Sequence, residues 1–137
     1  MKTNMLRTSL LAVVATVAVC GQSSNTPMQV TVPFDFIVGH RTLPAGQYSV
    51  DQRSVPDVVV VKSADQKRSA IVIGPALQTL APNQDGKLVF HRYGNKYFLA
   101  EVWKAGNYGR QIPKTPQERE LAARGQLPDS TILLASR

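Results

Sequence analysis

The sequence predicts a mainly β fold: a small antiparallel β-sandwich or partly open barrel of six to eight strands, with one short C-terminal helix. Three observations carry this. Val30, Val32, Phe34, Phe36 and Val38 alternate with Thr31, Pro33, Asp35 and Ile37, the period-2 pattern of a half-buried strand. Val58-Val59-Val60-Val61 is a continuous β-branched run, which suits a strand covered on both faces. Two long apolar-rich segments, Lys87–Tyr93 and Lys96–Trp103, flank Gly94-Asn95, and such a two-residue connection fits a type II′ hairpin turn.

The order of elements follows from these anchors. Pro33 has no N–H to give to a ladder, so the first strand is expected at a sheet edge or at a bulge. Gly39-His40-Arg41 turns the chain, and Leu43-Pro44-Ala45-Gly46 makes a second turn, Pro setting φ and Gly free to adopt unusual angles. Short strands are expected at Gln47–Asp51 and Ala70–Ile73, the latter stopped by Gly74-Pro75. Residues 75–86 hold two prolines, Asn83 and Asp85-Gly86, and read as a long loop.

Counting back from the Gly94-Asn95 turn pairs Tyr93 with Lys96, Arg92 with Tyr97, His91 with Phe98 and Phe90 with Leu99. Leu88, Phe90, Leu99 and Trp103 then share one face, and Val89, Phe98, Ala100 and Val102 the other. Both faces are apolar, so something must cover the second. The candidate is a helix near 116–124. Thr115-Pro116-Gln117-Glu118 is a capping box with Pro at the first helical position, and Gly125 ends the helix. Its apolar stripe, Leu121 to Ala123, is thin. The tail Thr131–Ala135 is open between a last strand and a loose end.

The N-terminus has a different character. Lys2 and Arg7 precede an apolar run from Leu10 to Cys20, interrupted by Thr16 alone, the charged and hydrophobic regions of a secretion signal. The run is shorter than the roughly 20 residues a membrane-crossing helix needs. Residues 1–23 are therefore expected to be a signal peptide and its cleavage region, with cut positions between Ala18 and Ser24, and residues 24–137 a single domain. Cys20 is the sole cysteine, so no intramolecular disulfide is available. Anchoring as a lipoprotein through Cys20 is the lesser reading, because Val19 replaces the small residue expected before a lipidated cysteine. Location in the periplasm of a bacterium, or outside the cell, is the expectation.

Three blocks have a collective look: Val32-Pro33-Phe34-Asp35-Phe36, Leu43-Pro44-Ala45-Gly46-Gln47-Tyr48-Ser49-Val50 and Lys87-Leu88-Val89-Phe90-His91-Arg92-Tyr93-Gly94. Together they resemble the V-P-F-D-F, L-P-A-G-x-Y and K-L-V-F-x-R-Y-G blocks of small exported β-rich proteins of soil bacteria. The resemblance spans most of the chain after the signal. It implies export and a β fold, and it transfers no functional residues.

Chemistry has few footholds. His40 and His91 are the only histidines, short of the three or four N, S or O ligands that zinc needs. Asp35, Asp51, Asp57 and Glu101 lie on or beside strands, without a spacing that makes two of them a glycosidase pair. No G-x-S-x-G, P-loop or G-x-G-x-x-G is present. No catalytic residue, metal site or cofactor is expected, and the chain reads as a non-enzymatic binding or structural module of the cell envelope. An enzyme acting on an envelope polymer, or a β protein assembling through an open sheet edge, are the alternatives.

Charge suggests the partner. With Lys2 and Arg7 removed, 14 basic face 9 acidic side chains, a net +5, which favours an anionic envelope polymer or a membrane surface. Nucleic acid is not expected for an exported protein. The candidate contact is the hairpin tip, where Arg92, Tyr93, Lys96 and Tyr97 mix cations with aromatic rings. Lys104, Tyr108 and Arg110 are expected nearby.

Overall fold

The structure, a computed structural model, describes residues 26–52 and 57–136. The expected secretion signal, with Cys20, lies outside the described residues. The described chain runs β1 (Met28–Val32), β2 (Phe36–Val38), β3 (Arg41–Leu43), β4 (Gly46–Gln52), β5 (Val58–Ser63), β6 (Ser69–Ile73), β7 (Ala76–Asn83), β8 (Lys87–Tyr93), β9 (Lys96–Trp103), β10 (Gly106–Gln111), α1 (Pro116–Ala123) and β11 (Asp129–Leu134). It is a mainly β molecule of two sheets and one short helix, and the sheets do not close into a barrel. Among the described residues eleven strands replace the six to eight expected, because short strands arise where the sequence suggests turns or loop.

One sheet has the order β1-β4-β5-β6, and the other β11-β8-β9-β10-β7, with β2 and β3 attached through β2. The sheets are stitched along one side by the C-terminal tail. Ser136 donates its N–H to the Gln29 carbonyl at 2.8 Å, and Ala135 donates to Gly86 at 2.8 Å. Elsewhere the chain passes from β6 to β7, and so between the sheets, through Gly74-Pro75. A Cβ at Gly74 would stand 1.9 Å from the Gln111 carbonyl oxygen, so only glycine allows this close crossing.

The first alternating segment is not one strand. It breaks at Pro33-Phe34-Asp35, where the chain leaves one sheet and enters the other. The Asp35 carboxylate accepts the Ala45 N–H at 2.9 Å, which ties this crossover to the turn before β4. β2 then runs parallel to β9, with Ile37 opposite Phe98. The segment expected as a loop, 75–86, is largely β7, whose Ala76–Gln78 pair with Arg110–Tyr108 of β10. Of its turn-forming residues Pro82 falls in the bulge between Gln78 and Asn83, Asn83 pairs with Gly106, and Asp85-Gly86 lie beyond the strand.

The β8–β9 hairpin has the expected register from Tyr93–Lys96 to Phe90–Leu99. Gly94 sits at φ 62° and Asn95 is not at positive φ, as a type II′ turn requires. Beyond Leu99 the register shifts, so that Val89 faces Glu101 and Leu88 faces Val102. Ala100 is the extra residue of a β-bulge, and its carbonyl accepts the Ile112 N–H at 2.7 Å. The bulge exchanges the faces of the residues after it. Val102, not Trp103, joins Leu88, Phe90 and Leu99 in the core.

That core lies between the sheets and includes Val30, Val32, Phe36, Val38, Tyr48, Val50, Val59 and Val61. Phe34, expected to be buried, is only half-buried against it. Val60 is buried but outside this core cluster, its alternation with Val59 and Val61 turning it to the outer face. The tail resolves into β11, paired antiparallel with β8. The helix begins where the capping box predicts, with the Thr115 hydroxyl accepting the Glu118 N–H at 3.1 Å.

Candidate binding site at the hairpin tip

Cross-strand partners in an antiparallel pair share a face. The tip residues therefore divide into two sets: Tyr93 with Lys96, and Arg92 with Tyr97. The two sets meet different surroundings.

Tyr93 faces α1 and is buried, at 3% exposure. Its hydroxyl donates to Glu118 Oε1 at 3.3 Å, and its ring meets Phe98 edge-on at 5.7 Å. His91, two residues back on the same face, places Nδ1 3.1 Å from the same oxygen. Because a carboxylate only accepts, this ring nitrogen is the donor. The expectation of Tyr93 as an exposed stacking ring is thus corrected: its proximity to the turn is real, but its face belongs to the helix. Burial first, then the Glu118 charge and the hydrogen bond to it, push the Tyr93 phenol above its ordinary value.

Arg92 and Tyr97 face the other way, and there the structure supplies a ring that Tyr93 does not. Tyr97 stacks on Phe34 with centroids 3.7 Å apart and planes 11° from parallel. The Arg92 guanidinium lies over the Tyr97 ring, 5.6 Å from its centroid, within cation–π range. Its Nε donates to the Gly94 carbonyl at 2.6 Å, which fixes the side chain against the turn. No ion pair holds Arg92 or Lys96 among the described residues. Lys96 is exposed on the opposite face of the hairpin.

Phe34 continues the ring series inward. It meets Phe90 edge-on at 5.1 Å, Phe90 meets Phe36 at 5.5 Å, and Phe36 meets Tyr48 at 5.0 Å. The Tyr48 hydroxyl donates to the Pro44 carbonyl at 2.5 Å, and burial above all raises its phenol from the ordinary value. The ledge of Arg92, Tyr97 and Phe34 is thus backed by packed rings rather than left on a loose loop.

The other expected neighbours are elsewhere. β10 pairs with β9 only at Glu101–Trp103, the end away from the turn. There Arg110 is ion-paired to Asp57 at 2.6 Å, the Lys104 ammonium reaches the Gln52 carbonyl at 3.4 Å, and Tyr108 is exposed.

The residues considered for other chemistry are dispersed. His40 is exposed in the β2–β3 turn, while His91 is occupied by Glu118. Glu101 accepts the Trp103 indole N–H at 2.7 Å, Asp57 holds Arg110, and Asp35 caps Ala45. Among the described residues no group of three His, Cys, Asp or Glu side chains could hold a metal ion. None of the helices described is long and apolar enough to cross a membrane. No protein-family model, curated protein or solved structure matches the chain.

Glu118 is the site residue that the sequence conceals. The Thr-x-x-Glu pattern gives it a local task, reaching back to the N-cap, and that task hides its contact with β8. The signal available is compositional: a helix with a thin apolar stripe needs some other tether. Phe34 is likewise obscured, because its phase in the alternating pattern points to the core while its stacking role is at the rim.

Proposed function

We propose that the chain is an exported, non-enzymatic β-sandwich module that binds an anionic polymer of the cell envelope at the β8–β9 turn. The observation that carries this reading is the ledge itself, a guanidinium held over the Tyr97 ring, which Phe34 backs. A cation fixed over a ring offers charge and an apolar surface together, the combination that sugar polymers bearing anionic groups can use. Lys96, across the turn, lets a polymer passing over the tip meet a second positive charge. The net charge of the chain acts in the same direction.

Arg92→Ala/Lys96→Ala is expected to weaken binding to lipopolysaccharide or an acidic glycan by at least about tenfold, roughly the contribution of one charge-assisted contact. Wild-type binding is expected to weaken between low and moderate salt, since screening shortens the reach of surface charges to about 8 Å at physiological ionic strength. Circular dichroism first establishes that the variant folds. A folded variant that binds as tightly as wild type, or a wild type that binds nothing in the panel, removes the proposal.

Export has its own test. The positive n-region and apolar run of residues 2–20 are expected to direct cleavage between Ala18 and Ser24. Intact-mass measurement of protein recovered from periplasm or medium reads the cut directly. A mass retaining Met1 contradicts export by this route, and an acylated Cys20 replaces it with lipoprotein anchoring.

A further inference from the structure

We propose a second anion site, a hollow between β3 and the β5–β6 turn that takes a phosphate or sulfate monoester group. It goes beyond the hairpin reading and stands on different residues. The hollow is lined by Arg41, Thr42, Leu43, Lys67, Arg68 and Ser69. Three of these six are cations, contributed by two segments about 25 residues apart in the chain, and no carboxylate is in the lining. Arg41, Lys67 and Arg68 are all exposed. Among the described residues no ion pair engages their head groups, whereas Arg110 and Arg124 each hold a carboxylate at 2.6 Å.

The local fold explains how the cations converge. Lys67 and Arg68 end a tight loop in which Ser63 donates its N–H to Arg68 O at 2.9 Å and Gln66 donates to Ser63 O at 2.9 Å. Gln66 sits at φ 60°, a conformation that bulky L-residues rarely take, so the loop has one defined path. The nearest acid, Asp65, is used inside that loop. Its carboxylate accepts from the Ser63 hydroxyl and from the Lys67 N–H. The Ser63 bond foremost, then the Lys67 N–H and the charges of Lys67 and Arg68, hold its carboxyl below the usual range, so a bound anion competes with Asp65 for those two cations. Arg41 arrives from the β2–β3 hairpin, which extends the other sheet.

Size and chemistry select the ligand class. The hollow measures about 240 Å³, below the roughly 300–1,000 Å³ of sites that enclose drug-sized molecules. It suits one tetrahedral oxyanion. Two guanidinium forks and an ammonium supply charge-assisted donors of the kind that recognise phosphate, and Thr42 and Ser69 line the same hollow. Arg68 also lines an adjoining hollow of about 310 Å³ with Pro44, Gln47 and Asp65; the carboxylate there makes it a place for the uncharged sugar hydroxyls of an ester, not for a second anion.

The test is a titration of the isotopically labelled chain with inorganic phosphate, followed by amide NMR shifts, against chloride at matched ionic strength. Saturable shifts are expected at residues 41–43 and 67–69, absent with chloride. Arg41→Gln/Arg68→Gln is expected to weaken the apparent affinity at least about tenfold, since each charge-assisted contact is worth roughly that factor. Lys114→Gln, which removes an exposed cation outside the hollow, is expected to change nothing. Glucose 6-phosphate binding more tightly than phosphate assigns an ester on a sugar, and equal affinities assign the anion alone. No saturable shift at these amides, or equal shifts in the folded double variant, overturns the site. Shifts confined to residues 92–97 also overturn it while leaving the hairpin proposal intact.

Discussion

Phe36→Ala is expected to lower stability by about 3–5 kcal/mol, the range for truncating a buried phenylalanine. The ring is 1% exposed and meets Tyr48 at 5.0 Å and Phe90 at 5.5 Å, both edge-on. Tyr48 belongs to the four-stranded sheet and Phe90 to the other. The ring is therefore a bridge between layers, and β2, which carries it, is only three residues long. A strand that short contributes few ladder bonds of its own, so its side chains hold it in place. The loss is about a fifth or more of the roughly 5–15 kcal/mol that stabilises a domain of this size. Urea unfolding followed by Trp103 fluorescence reads the change as a shifted midpoint with an unaltered slope. Phe34→Ala, at a half-buried ring on the rim, is expected to shift the midpoint less. An unchanged midpoint for Phe36→Ala contradicts the packing described.

The contrast between these two phenylalanines shows what is legible in the sequence. Both fall on the same phase of one alternating pattern, and the pattern alone gives them equal weight. The strand breaks over Pro33-Phe34-Asp35, so Phe34 lies in the crossover itself and Phe36 opens β2, and the chain changes sheets there. Alternation reports that a face is buried, not which layer buries it. The hairpin is more legible because a two-residue turn dictates its register locally. Even so, the Ala100 bulge stays hidden, since residues on both faces of β9 are apolar and a one-residue slip leaves no mark in the pattern. β7 is obscured for the opposite reason. Its Pro82 and Asn83, with Asp85 and Gly86 just beyond, are residue types that favour turns, and they mask the paired run at Ala76–Gln78 and the Asn83–Gly106 pair past the bulge.

At the candidate site the residue types are legible and their division is not. Arg92, Tyr93, Lys96 and Tyr97 adjoin the turn, but period-2 geometry sends them to two faces with different neighbours. Those neighbours, Phe34 and Glu118, are far along the chain from the tip. Long-range pairing decides which ring is presented and which is enclosed. Arg41 is illegible on similar grounds: nothing local links it to Lys67-Arg68, and only the packing of two hairpins does.

Glu118→Ala is expected to cost about 2–3 kcal/mol, the range for losing hydrogen bonds to a charged group and leaving buried donors unmet. Glu118 is the one buried residue of α1, so the helix is held to β8 by a carboxylate in place of an apolar stripe. Its removal leaves the Tyr93 hydroxyl and the His91 Nδ1 without their shared acceptor. Glu118→Gln keeps an acceptor oxygen and is expected to cost less, about 1 kcal/mol for the weaker neutral bonds. In a double-mutant cycle with Tyr93→Phe the losses are expected to be non-additive, because the two residues share one contact. Tyr93 supplies a second, independent readout. Its folded-state phenol is raised above the unfolded value near 10. A raised folded value means that the stabilising contribution is complete below about pH 10 and is lost as pH climbs from there through the folded value. Wild type is therefore expected to lose stability at strongly alkaline pH, with the Tyr93 phenolate appearing late in a titration followed by the ultraviolet absorbance of tyrosinate, identified by its absence in Tyr93→Phe. In Glu118→Gln the charge and its stronger bond are gone while burial persists, so Tyr93 should ionise earlier than in wild type but still later than an exposed tyrosine. If Glu118→Gln leaves both the urea midpoint and the Tyr93 titration where they are in wild type, the carboxylate is not the tether that holds α1 to the sheet.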